Sequence, residues 1–322
     1  MNIIFEKFTE KHIDEAVNLA LSELEAERSS CPDIPNGDFS EKLNGMLTWL
    51  SSQPIGKAAF CGGKMVGYLL FGGPWDGFFG NVKGVYSPLG GSAFSYEYAD
   101  RQRLASMLFE STAQEFVQNR VFSCAVTRYA HDEDTARAFV FNGFGIRCSD
   151  AVRRISELSL QHSADDVSFI ELTFGEFEKV SALQMGLVKH LEKAPIFCPT
   201  DMERYKHWFH KESMRVFAAV SGEKLIGFIS VDVTAENFIT EHDKMANICG
   251  AYFDENCRGK GIAQALLSHI RDTLSGEGIT HLGVDCETMN PTALNFWGKY
   301  FTPYTYSFAR HLDERIETMS HN

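Results

Sequence analysis

The sequence lacks an excess of basic residues. Thirty Lys and Arg stand against 43 Asp and Glu, which leaves a net charge of −13 at pH 7. Proteins that bind nucleic acid gain much of their affinity from Lys and Arg side chains that displace counterions from phosphates. The composition therefore argues against nucleic acid as a partner.

Long apolar runs are also missing. No stretch approaches the roughly 18 consecutive apolar residues that span a bilayer, and charges interrupt Met1–Lys11, where a signal peptide needs its apolar segment. The eight cysteines never form C-x-x-C, the spacing typical of zinc and redox sites. We therefore expect a cytoplasmic protein with no membrane partner, no metal and no disulfides.

The chain contains a repeat. Its 322 residues suffice for about two domains, and four short segments recur in the same order about 160 residues apart. These pairs are Gly63–Tyr68 with Gly222–Phe228, Asn81–Tyr86 with Asn247–Tyr252, Leu104–Phe109 with Ile262–Leu267, and Thr135–Phe139 with Thr292–Phe296. The repeat predicts two copies of one unit, at residues 1–158 and 166–322.

Hydrophobic periodicity predicts two copies of one α/β unit. The second copy is expected to run as a helix, a hairpin, a strand, a helix, a strand and a helix, at 174–187, 216–220 with 225–233, 247–253, from 262, 281–286 and from 290. The first copy follows the same order, with a helix, a hairpin, a strand and a helix at 13–24, 58–60 with 65–71, 82–86 and 104–116.

The segment Phe253–Ala263 joins a predicted strand to a predicted helix through Gly259 and Gly261. Glycines there let several backbone N–H groups approach one anion, and the helix dipole favours negative charge at that end. Arg258 and Lys260 add positive charge. The segment therefore predicts a diphosphate site, although an isolated G-x-G more often makes only a tight turn.

The pattern Arg-x-x-Gly-x-Ala at 258–263 resembles the acyl-CoA loop of the GNAT superfamily of N-acetyltransferases, in which Gln or Arg is followed by two residues, Gly, one residue, and Gly or Ala. The resemblance covers most of 168–310 and implies an α/β fold with a mixed sheet, in two tandem GNAT-like domains. It implies acetyl-CoA as co-substrate, with its pyrophosphate on the loop amides and its arm beside a splayed strand. The implied binding residues are Arg258, Gly259, Lys260, Gly261, Ile262 and Ala263 on the loop, and Ala251, Tyr252 and Phe253 along the arm.

The same family often places an Asn that contacts the arm after the next strand, with Ala three residues later and an aromatic residue at six. Asn290, Ala293 and Phe296 match this pattern. A simple helix N-cap before Pro291 is an equally good interpretation of Asn290, and both roles are compatible.

Transfer to an amine needs a base, a donor for the developing oxyanion and a proton for the thiolate. A backbone N–H near Tyr252 is a candidate oxyanion donor. Glu287 is the candidate base, although a solvated carboxylate is its plainer interpretation. The family's usual acid, a Tyr seven residues after the Asn, is replaced by Trp297. Tyr300, one helical turn later, is the candidate substitute, with packing or protonation by solvent as alternatives.

The first copy departs from the loop pattern. Aligning Leu104 on Ile262 places Arg101 and Arg103 where the second copy has its two glycines. We therefore expect a degenerate copy that is structural or shapes the acceptor pocket. A second CoA site that uses Arg101 and Arg103 as side-chain clamps is the rival hypothesis.

These features predict an acetyl-CoA-dependent N-acetyltransferase that acylates a primary amine of a small molecule by direct attack in a ternary complex. The acidic balance favours a cationic acceptor, such as a polyamine or an amino sugar. A non-catalytic acyl-CoA binding or sensing protein is the alternative, suggested by Trp297 and the lack of an obvious base. An interaction scaffold is a third hypothesis, and the intact glycine loop argues against it.

Overall fold

A computed structural model describes residues 3–159, 166–233 and 237–319. The chain divides into two compact units, each of mixed α/β structure, as the sequence predicts. Unit 1 comprises Met1–Pro32, Asn36–Ser149 and Pro303–Asn322, and unit 2 comprises Asp33–Pro35 and Asp150–Thr302. The domain limits expected from the repeat, 1–158 and 166–322, stay a prediction, because residues 160–165 lie outside the described residues.

The elements of unit 1 in chain order are β1 (Ile3–Lys7), α1 (Ile13–Ser30), α2 (Ser40–Ser51), β2 (Ile55–Cys61), β3 (Lys64–Trp75), β4 (Lys83–Ser87), β5 (Ser92–Phe94), α3 (Arg101–Ala113), β6 (Val121–Tyr129) and α4 (Glu133–Phe141). Strand β7 (Gly145–Arg154) then leads into unit 2, to which its residues 150–154 belong.

The elements of unit 2 are β8 (Ser168–Leu172), α5 (Ser181–Glu192), α6 (Met202–Phe209), β9 (Arg215–Ser221), β10 (Lys224–Asp232), β11 (Met245–Phe253), α7 (Ile262–Gly276), β12 (His281–Glu287) and α8 (Pro291–Trp297). The predicted helix at 174–187 begins as a 3-10 helix at Phe174–Val180 and becomes α5 at Ser181. The chain ends with β13 (Thr302–His311) and α9 (Arg315–Met319), which pack in unit 1.

The strands of unit 1 follow the order β1-β2-β3-β4-β6-β13. β2 and β3 form a hairpin whose turn residues Gly62 and Gly63 both have positive φ, the conformation that a two-residue hairpin turn requires. β4 and β6 are parallel, and β13 lies antiparallel to β6, with Thr305 opposite Tyr129. The final strand of the chain thus completes the sheet of unit 1.

The sheet of unit 2 follows the order β8-β9-β10-β11-β12. All of its strands are antiparallel except the pair β11 and β12. The predicted hairpin and the strand, helix, strand and helix that follow it are confirmed. The connection from β11 to the parallel strand β12 passes through α7, as a parallel pair requires.

Apolar side chains cover both faces of the unit 2 sheet. One layer contains the buried face of α7, with Leu266, Leu267 and Ile270 against the strands. The other contains Val180 and Leu183 near the start of α5, packed on β9 and β10. Burial on both faces explains why these strands have nearly continuous apolar sequences.

Among the described residues, no helix is long and apolar enough to cross a bilayer. All eight cysteines are free thiols. The fold of each unit is therefore held by its apolar core and backbone pairing, without covalent cross-links.

Candidate active site

The loop between β11 and α7 has the geometry that its glycines predict. Gly259 has φ of 75° and Gly261, the N-cap of α7, has φ of 81°. Both values lie in the left-handed region, which L side chains rarely adopt. The two glycines are therefore required by the backbone itself.

The N-terminus of α7 presents amide groups that lack acceptors. The first helical bond runs from the Ala265 N–H to the Gly261 carbonyl, at 2.9 Å. The N–H groups of Ile262, Ala263 and Gln264 donate to no group in the described chain, and no acidic side chain lies in the first turn. A 15-residue helix with this end free provides a site for an anion.

The two basic residues of the loop differ in their freedom. The Arg258 Nε donates to the Phe253 carbonyl at 3.1 Å, and its guanidinium lies 5.3 Å from the centre of the Tyr252 ring. Lys260 is exposed. Arg258 thus contributes a fixed positive charge beside the end of β11, and Lys260 contributes a movable one.

β11 and β12 separate before either strand ends. Their parallel pairing covers four residue pairs, from Met245 opposite His281 to Ile248 opposite Val284. β11 continues to Phe253 while paired only with β10, and β12 continues to Glu287. The open edges of the two strands form a slot, whose closed end lies at Ile248 and Val284.

A β-bulge accounts for this separation. The pairing of β10 with β11 moves from Val231 opposite Ile248 to Ser230 opposite Gly250, so Cys249 is an extra residue in β11. A bulge bends the strand that carries it and increases its local twist. The bend begins at the residue where pairing with β12 stops.

The predicted arm residues Ala251, Tyr252 and Phe253 lie on the open stretch of β11. A Cβ atom on Gly186 of α5 would stand 2.6 Å from the Tyr252 ring, and one on Gly227 of β10 would stand 2.1 Å from the Phe253 ring. Each ring therefore occupies a place that only glycine leaves free. The predicted contacts of these residues with an acyl-CoA stay a prediction.

Asn290 caps the N-terminus of α8, which is the N-cap role that the sequence predicted for it. It is 8% exposed, and its side-chain oxygen accepts the Ala293 N–H at 3.2 Å. The same oxygen lies 3.3 Å from Nε2 of His190, on α5. The cap is confirmed, and the arm contact stays a prediction. Sequence reasoning missed His190, because nothing in the sequence links it to a residue 100 positions later.

Glu287 ends β12 in a half-buried position within an acidic group. Burial raises the pKa of the neighbouring Cys286 thiol to about 12, and the charges of Asp285, Asp150 and Glu287 add to this shift. Cys286 therefore stays a neutral thiol at physiological pH. The carboxylates nearby make this end of β12 strongly negative.

The segment expected to supply the acid packs against the core. Trp297 is 6% exposed and meets the Phe301 ring edge-on, with centroids 5.8 Å apart. Tyr300 is half-buried, and its ring packs against that of Phe296 with centroids 5.3 Å apart. This contact agrees with the packing interpretation of Tyr300, while its role as the acid stays a prediction.

The corresponding positions in unit 1 are filled by side chains. Arg101 is 6% exposed; its guanidinium forms ion pairs with Asp132 at 2.6 Å and Glu23 at 3.1 Å and lies over the Tyr96 ring. Arg101 cannot clamp a diphosphate in this arrangement, which argues against the rival hypothesis of a second CoA site. Arg103 is exposed, with its N–H bonded to Asp100.

Metal ligands do not gather in the described chain. Within residues 3–159, 166–233 and 237–319, no three His, Cys, Asp or Glu side chains are placed to bind one ion.

The comparisons with known proteins point to one family. Residues 186–301 match the model of the acetyltransferase (GNAT) family. The chain is similar to the crystal structure of a GCN5-related N-acetyltransferase from Sphaerobacter thermophilus, with 15% identity, a TM-score of 0.61, and coverage of 96% of this chain and 95% of that chain. At this identity the likeness concerns the fold.

Two further solved structures are similar over most of this chain. One is a GCN5-related glucosamine N-acetyltransferase region of a fungal multi-domain β-N-acetylglucosaminidase, with 14% identity, a TM-score of 0.57, and coverage of 96% of this chain and 38% of that chain. The other is a tandem GNAT protein from the clavulanic acid biosynthesis pathway, with 13% identity, a TM-score of 0.47, and coverage of 96% and 98%. No curated protein matches this chain.

Proposed function

Because residues 186–301 form a GNAT-family acetyltransferase domain, we propose that unit 2 is an acetyl-CoA-dependent N-acetyltransferase that acylates the primary amine of a small molecule. One observation carries the proposal: the anion site at the start of α7 and the slot beside β11 lie on consecutive segments of chain. A ligand with a diphosphate joined to a long polar arm fits this sequence of sites.

The chain's own groups fit both parts of such a ligand. The free amides of Ile262–Gln264, with Lys260, would bind the diphosphate. The unpaired backbone edge of Ala251–Phe253 would bond the arm as a neighbouring strand does. The bound thioester supplies an activated acyl carbonyl, and the protein holds it beside the acceptor.

The acceptor is a cationic primary amine, which attacks the acyl carbonyl directly while both substrates are bound. An alkyl ammonium has a pKa of about 10 and must lose a proton before it can attack. Glu287 is the proposed base, and the carboxylates of Asp285 and Asp150 near it would attract the ammonium group. Tyr300 is the proposed acid for the departing thiolate.

Unit 1 is proposed to be a degenerate copy that binds no acyl-CoA. Its helix α3 begins with Asp100, whose carboxylate accepts the Arg103 N–H at 3.0 Å and so occupies the position that an anion would take. One acyl-CoA site per chain follows from this.

A screen of amines with acetyl-CoA tests the function. We expect CoA thiol release that depends on the amine, with polyamines and amino sugars ahead of neutral primary amines. Binding of acetyl-CoA in calorimetry without release for any amine would favour the sensing protein instead, which the buried Trp297 in place of the usual Tyr also suggests. No binding at all would contradict both.

A further inference from the structure

Tyr205 carries a polar atom that the fold of unit 2 does not use. It lies on α6, is 4% exposed, and stacks on Phe209 with ring centroids 4.7 Å apart. Its hydroxyl is buried and has no hydrogen-bond partner in the described chain. Leaving a buried hydroxyl unpaired costs about 1–3 kcal/mol, so such an atom calls for an explanation.

The hydroxyl faces the closed end of the slot. A Cβ atom on Gly250 would stand 3.6 Å from the Tyr205 Oη and 3.0 Å from the Ser230 Oγ. Gly250 follows the bulge residue Cys249 and is two residues beyond Ile248, where pairing with β12 ends. Tyr205 thus places a hydrogen-bond donor over the head of the slot, where the sheet is opened by the bulge.

The direction of the slot determines which part of a ligand would meet this donor. The anion site lies beyond Phe253, at the open end, and Gly250 lies at the closed end. A diphosphate bound at α7 would therefore extend its arm from Phe253 towards Gly250. The acyl group, at the far end of the arm, would arrive beneath the Tyr205 hydroxyl.

We propose that Tyr205 is a catalytic residue, whose hydroxyl donates a hydrogen bond to the carbonyl oxygen of the acyl thioester. This inference rests on the proposed function of unit 2. As the C–N bond forms, that oxygen gains negative charge, and the bond from Tyr205 strengthens. The C–S bond then breaks, sulfur leaves with the electron pair, the amine proton goes to the base, and Tyr205 keeps its own proton.

The environment of Tyr205 suits a donor that stays protonated. Burial, with a smaller contribution from Cys249, raises the pKa of Tyr205 above its ordinary value. The hydroxyl therefore remains able to donate at all physiological pH values. A neutral donor in a site shielded from water stabilises developing charge more strongly than it would in solvent.

Tyr205→Phe tests the proposal, because it should lower activity without lowering stability. The variant keeps the ring and its stacking on Phe209 but removes the unpaired hydroxyl. We expect kcat for acetyl transfer to fall about 100-fold, KM for acetyl-CoA to change less than about threefold, and the unfolding temperature to stay equal or rise. A lower unfolding temperature would show that the hydroxyl has a structural partner and would overturn the proposal.

Unit 1 supplies matched controls. The Tyr129 hydroxyl is also buried and has no partner in the described chain, so Tyr129→Phe makes the same chemical change within unit 1. The Tyr68 hydroxyl is buried and donates to the Gly90 carbonyl at 2.7 Å. We expect wild-type kcat for both, with a lower unfolding temperature for Tyr68→Phe only.

Wild-type activity distinguishes a failure of this proposal from a failure of the proposed function. If wild-type protein releases CoA with an amine and Tyr205→Phe retains full kcat, this proposal fails while the proposed function stands. If wild-type protein releases no CoA with any amine, the proposed function fails and this proposal falls with it.

Discussion

The two units differ at the point where a parallel pair of strands separates. In unit 1, β4 is paired with β6 from Lys83 opposite Val121 to Ser87 opposite Val126, and the chain then continues as β5, which pairs with β3. In unit 2, β11 leaves β12 after Ile248 and continues for five residues. The strands therefore separate in both units, and the units differ in what lies between the separated strands.

An arginine occupies the place of the slot in unit 1. Arg128 lies on β6, two residues beyond the last β4–β6 pair, and donates to the carbonyl of Ser92 at 2.7 Å. The corresponding position of unit 2, two residues beyond the last β11–β12 pair, is Cys286. Arg128 also pairs with Glu23 at 2.6 Å and Asp132 at 2.7 Å. A buried charge cluster thus occupies, in unit 1, the space between strands that a ligand would occupy in unit 2.

The helices that follow, α3 in unit 1 and α7 in unit 2, also differ at their N-termini. α3 begins with the carboxylate of Asp100 on its own amides, whereas α7 begins with Gly261, which has no side chain to cap it. One fold therefore carries either a closed structural unit or a binding unit. Which of the two arises depends on a few residues at the ends of strands and helices.

The largest effect is expected from breaking the charge cluster of unit 1. Arg128→Met would leave Glu23 and Asp132 buried with less compensation, which should lower the free energy of unfolding by about 3–5 kcal/mol in urea titration. Arg103→Ala, at an exposed position of the same unit, should change it by about 0.5 kcal/mol or less. Equal effects of both would mean that the cluster is not structural.

Closing the anion site of unit 2 should weaken ligand binding. Gly261→Asp places a carboxylate against the diphosphate and a side chain at positive φ, so we expect acetyl-CoA affinity to fall about 100-fold or more in calorimetry. Gly278→Asp, at a positive-φ position beyond the C-terminal end of α7, imposes similar backbone strain at the opposite end of that helix and should bind normally. Wild-type affinity in Gly261→Asp would remove the loop from the site.

We expect acid to destabilise unit 1 against unfolding, because Asp132 becomes protonated. Burial acts to raise the pKa of this carboxyl, but Arg128 and Arg101 outweigh it and lower the pKa to about 2. A depressed pKa gives stability that is complete above the unfolded value of about 4 and is lost as pH falls through about 2. We expect the unfolding temperature to fall across that window, and the fall to be smaller in Asp132→Asn.

The smallest effect separates the two roles of Asn290. Asn290→Ala should lower the free energy of unfolding by about 1 kcal/mol, because the cap of α8 is lost. Asn290→Asp keeps a capping oxygen and should restore stability. If Asn290 also contacts the acyl-CoA arm, Asn290→Asp will acylate more slowly than wild type, and equal rates would leave it as a cap only.

The loop at 258–263 could be predicted because its information is local: two glycines, a strand before and a helix after. The slot could not be predicted, because it depends on where the pairing of β11 with β12 stops. It also depends on one extra residue in β11, Cys249, which no local sequence pattern marks. His190 and Tyr205 reach the site from other helices through contacts distant in sequence. β13 follows the last repeated segment, and nothing in the repeat indicates that it completes the sheet of unit 1.

Calorimetric titration of the wild-type chain with acetyl-CoA tests the contrast between the units most directly. The open slot and uncapped α7 of unit 2, together with the buried charge cluster of unit 1, predict one acetyl-CoA bound per chain. The affinity should be about 100-fold or more weaker in Gly261→Asp. Two molecules bound per chain, or wild-type affinity in Gly261→Asp, would contradict the assignment of the site to unit 2 alone.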